Sequence, residues 1–185
     1  MKKPRVILLH GNGGGSGSDN WLPYIKRELE ELNIVCLAPD MPDPVLARAK
    51  YWLPFLKNDM KVDENTILVG HSSGAIAAMR FAEQNKILGC VLVGGYHTDL
   101  GMEAEKKSGY FDKPWDWKAI KANEKWAVVF ASIDDPWIPI EEARFIKNKL
   151  DAEYHEFTNQ GHFGGDRDKK DFVELLDVLK EKLFN

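Results

Sequence analysis

The chain has 185 residues, 44% of them hydrophobic and 29% charged, enough for a sizeable core in one soluble globular domain spanning residues 1–185. The formal net charge is −4 and no basic stripe runs through the sequence, so composition argues against nucleic-acid binding. No stretch approaches the ~20 apolar residues that span a bilayer, so no membrane association is expected.

The N-terminal MKKPRVILLHG places two lysines before a short apolar run, too short for a signal-peptide core. Arg5–Leu9 instead reads as a parallel strand buried on both faces. A glycine-rich loop, His10 to Gly17, follows it. Trp21, Leu22, Ile25, Leu29 and Leu32 recur at helical spacing, with Ser18 or Asp19 as N-cap. Ile34–Ala38 is the second strand, and the prolines of the stretch 39–44 force a loop. Val45 to Leu53 reads as a helix that Pro54 ends or kinks.

The third unit is TILVGHSSGAIAAMR, Thr66 to Arg80: a β-branched strand, a sharp turn and an alanine-rich helix. Leu88–Val93 is the fourth strand. Tyr96 to Trp117 has no clean period and reads as an insertion rich in charge and aromatics. Asp116–Ala122 is a short helix, Ala127–Ala131 the fifth strand, Glu141–Leu150 a helix and Glu153–Phe157 the sixth strand. Phe172, Leu175, Leu176, Leu179 and Leu183 define an amphipathic C-terminal helix. This alternation predicts an α/β fold with a doubly wound, mainly parallel sheet. Cys36 and Cys90 lie within apolar runs and read as reduced, buried thiols, which points to a reducing compartment and a cytoplasmic protein.

The turn after the third strand carries the pattern G-x-S-x-G, a nucleophile elbow. Its Ser72 stands at the tip of a turn so tight that Gly70 and Gly74 are needed where backbones meet. The helix behind it favours developing negative charge. A serine hydroxyl needs a base, and the base needs an orienting acid. In hydrolases with this elbow the chain order is Ser, acid, His. The acid is sought at Asp134 or Asp135, directly after the fifth strand. The pattern D-x-x-[VIL]-P fits Asp135 with Ile138 and Pro139 and leaves Asp134 as a turn residue. The base is His162, after the sixth strand; His71 is expected to point away and His10 to support its loop. His97 and His155 fall in the charged insertion and in a strand. For the oxyanion, the Ser73 backbone N–H is one donor and the loop after the first strand, at Asn12, supplies the second. Neither phosphate-binding glycine pattern can be threaded through that loop, which argues against nucleotide binding.

GNGGG, MPDP, WLPF, GHSSGAIAAMR, DLG, SGYF and the GHF near the end together resemble the retinoblastoma-binding protein 9 family of small serine hydrolases. The similarity covers essentially the whole chain. It implies a minimal α/β-hydrolase fold, a six-stranded sheet in the order 2-1-3-4-5-6 and hydrolysis of small-molecule esters or amides. It also implies a triad of Ser72, Asp135 and His162, without metal or cofactor. The L-x-C-x-E segment after which the family is named is absent: Met60-Lys61-Val62-Asp63-Glu64 stands there, and no retinoblastoma protein binding is expected.

Trp115 and Trp137 are expected to wall a substrate pocket for an apolar or aromatic acyl group, or else to pack the insertion on the core. Peptidase and thioesterase chemistry would use the same residues as an esterase. The other class of reading is a hydrolase fold with an idle triad that serves as a protein-binding module.

Overall fold

The computed structural model describes residues 3–184; Lys2 of the N-terminal lysine pair lies outside them. Six strands form one sheet: β1 (Arg5–Leu9), β2 (Val35–Leu37), β3 (Thr66–His71), β4 (Gly89–Val93), β5 (Ala127–Ser132) and β6 (Glu153–Phe157). Their order is β2-β1-β3-β4-β5-β6, and every pairing is parallel rather than merely most of them. β3, β4 and β5 are buried along their whole length, which is why they read as unbroken apolar runs.

Alternate side chains supply two cores. Ile7, Leu9, Leu68, Leu92 and Val129 face α2 (Ala49–Asn58), α3 (Ser73–Ala82) and α6 (Ile140–Leu150). Val6, Leu8, Ile67, Val69 and Phe130 face α1 (Leu22–Glu31) and α7 (Val173–Phe184). The result is three layers, α/β/α. Among the described residues no helix is long and apolar enough to cross a membrane. Both cysteines are free and buried; burial pushes the Cys36 thiol up to about 12 and the Cys90 thiol well above its usual value.

Several boundaries differ from the sequence expectation. The second helix does not begin at Val45: the Pro44 and Val45 carbonyls accept from the Gly14 and Gly13 amides and so brace the glycine-rich loop. It starts at Ala49 and runs through Pro54 to Asn58. Pro54 and Lys50 both face solvent, so the Lys50 carbonyl that loses its donor can be hydrated. Neither Ser18 nor Asp19 caps α1. Asp19 instead accepts from the Ser16 amide and hydroxyl, closing the glycine loop, and Trp21 precedes the helix without a side-chain cap. The insertion holds a short helix, α4 (Glu103–Ser108), before α5 (Trp117–Asn123).

The insertion is fastened to α3 by one buried side chain. Arg80 donates to the carbonyls of Tyr110 (2.7 Å), Lys113 (2.6 Å) and Pro114 (3.3 Å) and pairs with Glu83 at 2.6 Å. Its guanidinium lies 3.6 Å over the Trp115 ring. Lysine cannot reproduce a planar fork that serves several acceptors at once. Urea titration of Arg80→Met should therefore show a loss of about 3 kcal/mol, the cost of leaving the Glu83 carboxylate and three carbonyls without their donor. A loss below about 1 kcal/mol would mean that the insertion is held by other contacts.

Candidate active site

In a doubly wound sheet, ligands bind outside the carboxyl ends of the strands where the winding reverses. Here the chain leaves β1 for β2 on one side and returns to β3 on the other, so that point lies between β1 and β3. Leu9 is in register with Gly70, which brings His10–Asn12 beside His71–Ser73. The approach is close. A Cβ on Gly74 would sit 2.5 Å from the Leu9 carbonyl oxygen, and one on Gly70 would collide with the Gly74 and Ala75 backbone.

Ser72 occupies this turn with φ 56° and ψ −120°, a strained backbone for a residue with a side chain. The Ser72 amide donates to the Val93 carbonyl at 2.9 Å, and its own carbonyl accepts from Ala75 at 2.8 Å. Ser73 opens α3, so its N–H is one of the first-turn amides that lack an intrahelical acceptor.

His162 lies in the turn after β6, and its Nδ1 is 2.6 Å from Asp135 Oδ2. Both side chains are almost fully buried. A carboxylate only accepts, so Nδ1 donates to it, and in the neutral ring Nε2 is the nitrogen left to accept a proton. The other Asp135 oxygen accepts from the Trp137 (2.9 Å) and Ile138 (3.0 Å) amides, which fixes the carboxylate in the turn after β5. Ser72 and His162 line one cavity of about 450 Å³. Among the described residues no hydrogen bond joins the Ser72 hydroxyl to the imidazole, a contact that is commonly long before substrate binds.

Asp134 does more than make a turn. It accepts from Ser132 Oγ and from the Gly161 amide at 2.9 Å, and pairs with Arg167 at 3.1 Å, so it holds the loop that carries the histidine. The Ser132 hydroxyl and the Gly161 amide together keep its carboxyl below the usual range. His71 does not point away from the site. Its Nε2 donates to the His162 carbonyl at 2.7 Å, and the two rings lie 4.9 Å apart. Burial, with His162 alongside, depresses the His71 pKa to about 3, so the ring is neutral. His10 accepts from the Met41 amide at 2.9 Å and packs edge-on to Trp52, holding the glycine loop to its neighbour.

Trp137 lines the cavity and meets the His162 ring edge-on at 4.9 Å. Trp115 does not line it. Its Nε1 donates to the His97 carbonyl at 2.7 Å and its ring lies under Arg80, so it packs the insertion onto α3. Asn12 lines the cavity, with its side chain donating to Glu105 Oε1 at 2.8 Å. Glu105 is a site residue that the sequence reading missed, because EAEKKS looks like a solvated charge run.

A family model described as serine hydrolase matches residues 6–181. The chain belongs to the serine hydrolase family. Serine hydrolase RBBP9 of Rattus norvegicus is 43% identical over 181 residues, covering 97% of this chain and 95% of that protein. YdeN of Bacillus subtilis is 30% identical over 183 residues, covering 95% of this chain and 94% of that protein. The crystal structure of the ydeN gene product from B. subtilis covers 99% of this chain and 100% of that chain with a TM-score of 0.89 at 27% identity. Est1E from Butyrivibrio proteoclasticus shares the fold at 14% identity, with a TM-score of 0.76 over 100% of this chain and 90% of that chain. The expected α/β-hydrolase fold and family are therefore established, and the chain is a serine hydrolase.

Two predictions follow from these contacts. Asp135→Asn should lower kcat on an activated ester by about 10³-fold or more, through loss of the correct imidazole tautomer, while Asp134→Asn stays within about tenfold. The reverse ranking would make Asp134 the acid. For His71 the folded pKa lies below the unfolded value of about 6.5, so the unfolded state binds more protons and stability falls as pH drops below 6.5. Between pH 7 and 5 this amounts to about 2 kcal/mol in denaturant titrations, and His71→Gln should remove most of that pH dependence. An unchanged slope would show that another group governs it.

Proposed function

We infer that the chain hydrolyses a small-molecule carboxylic ester or amide with Ser72 as nucleophile, His162 as general base and Asp135 as its orienting acid. The observation that carries this reading is the buried 2.6 Å contact between His162 and Asp135, opening on the cavity that Ser72 also lines. His162 Nε2 takes the proton of the Ser72 hydroxyl as its oxygen attacks the carbonyl carbon. The backbone amides of Ser73 and Asn12 hold the oxyanion that forms. The imidazolium, stabilised by Asp135, returns the proton to the leaving oxygen or nitrogen, and an acyl-enzyme remains on Ser72. Water, deprotonated by His162, then attacks the ester carbon; the carbon–Oγ bond breaks, the imidazolium returns the proton to Ser72, and the acid is released.

The cavity favours an uncharged acyl group of moderate size. Leu100, Met102, Ala104 and Ile138 give it an apolar wall, and Trp137 stands beside the base. Among the described residues no lysine or arginine lines it to neutralise a carboxylate or phosphate on the substrate. Thioester and peptide substrates would use the same residues.

Turnover of 4-nitrophenyl esters from acetate to octanoate tests the reading. Ser72→Ala should reduce it by more than about 10³-fold, as expected when a triad nucleophile is removed. Trp137→Ala should shift the preferred chain length, whereas Trp115→Ala should not. Wild-type turnover in Ser72→Ala would contradict the assignment.

A further inference from the structure

The two residues assigned as oxyanion donors are linked by their side chains to one carboxylate, Asn12 directly and Ser73 through Tyr96. Asn12 Nδ2 donates to Glu105 Oε1 at 2.8 Å. The Tyr96 hydroxyl donates to Glu105 Oε2 at 2.7 Å and lies 3.2 Å from Ser73 Oγ. Glu105 is 6% exposed, lines the cavity, and comes from α4 within the insertion. Burial raises its carboxyl above the usual range, and the bonds from Tyr96 and Asn12 oppose that rise.

A helix that served only to cover the cavity would place an apolar side chain at this position. Drawing a carboxylate inside, opposite an amide and a phenol, costs desolvation that a plain wall does not require. We propose that Glu105 is a positioning residue for the oxyanion hole, joining the glycine loop and the elbow from the insertion side. This rests on the serine-hydrolase mechanism stated above.

The two arms differ in importance. Ser73 is already held by the helix that it opens. Asn12 lies between Gly11 and Gly13, which have no side chains to pack; the Val45 carbonyl braces the Gly13 amide, and the Asn12 side chain offers a further restraint at the residue whose own amide must stay aimed. Glu105 supplies that restraint through the Asn12 side chain. In this role it acts through the donors and not on the reacting atoms.

The test is steady-state kinetics on 4-nitrophenyl acetate, with melting temperatures measured alongside, for wild type, Glu105→Ala, Glu105→Met, Glu105→Gln and Ser72→Ala. Losing one oxyanion donor outright costs about 10²–10³ in kcat, so loosening one through its holder should cost about 10- to 100-fold. Glu105→Ala should show this in kcat, with KM changed less than about threefold. Glu105→Met keeps the volume, removes both acceptors and should behave like Glu105→Ala, which covers the case of an alanine variant that fails to fold. Glu105→Gln should stay within about threefold of wild type, since its carbonyl accepts from Asn12 and its amide donates to Tyr96. A kcat within about twofold of wild type in a folded Glu105→Ala or Glu105→Met overturns the proposal. So does a loss confined to KM, which would make Glu105 a wall for substrate, or a Glu105→Gln variant as poor as Glu105→Met. Turnover that survives Ser72→Ala removes the hydrolase mechanism and this proposal with it, a result distinct from the others because it appears without any change at Glu105.

Discussion

The close approach of β1 and β3 at their carboxyl ends is the constraint on which the rest of the molecule depends. Gly74 lies against the Leu9 carbonyl, and Ser72 holds a backbone conformation that costs on the order of 1–3 kcal/mol. That strain persists because the surroundings over-determine it. β3 is buried along its whole length, every residue of α3 is buried, and the Ser72 amide is tied to Val93 on β4. The sheet therefore presents one hydroxyl, one helix N-terminus and one glycine loop at a single spot.

Everything else arrives on loops, and each loop is pinned by a side chain that does no chemistry. Asp134 holds the amide before His162, and His71 holds the carbonyl after its ring. Glu142 accepts from the His97 (2.7 Å) and Thr98 (3.1 Å) amides, and the Thr98 hydroxyl adds a third bond, fixing the start of the insertion. Arg80 fixes its far end. The hydrogen bonds inside the site are thus supported by a second set, supplied by Asp134 at the surface and by the buried His71, Glu142 and Arg80.

What could be read from the amino acids alone follows how local the cause is. The elbow was legible because Gly70, Ser72 and Gly74 act within five residues, and the central strands because burial on both faces leaves an unbroken apolar run. Asp135 is the carboxylate that meets His162, and its setting is local: the Trp137 and Ile138 amides of the turn that follows bind its other oxygen. The failures have distant causes. Trp115 packs against an arginine on another helix, so its aromatic character alone could not say which cavity it faced. Glu105 is inward because Asn12 and Tyr96 await it, and nothing in EAEKKS records that. The second helix reads as stopping near Leu53 because Pro54 is expected to end or kink it, whereas its solvent-facing position lets the helix pass through to Asn58.

Fluorophosphonate labelling is the most direct measurement of whether Ser72 is an activated nucleophile. The folded wild-type protein should be labelled on one site, mapped to the peptide carrying Ser72, with the label lost in Ser72→Ala and strongly slowed in His162→Ala. A folded wild type that does not react, or a label that remains in Ser72→Ala, would contradict the account.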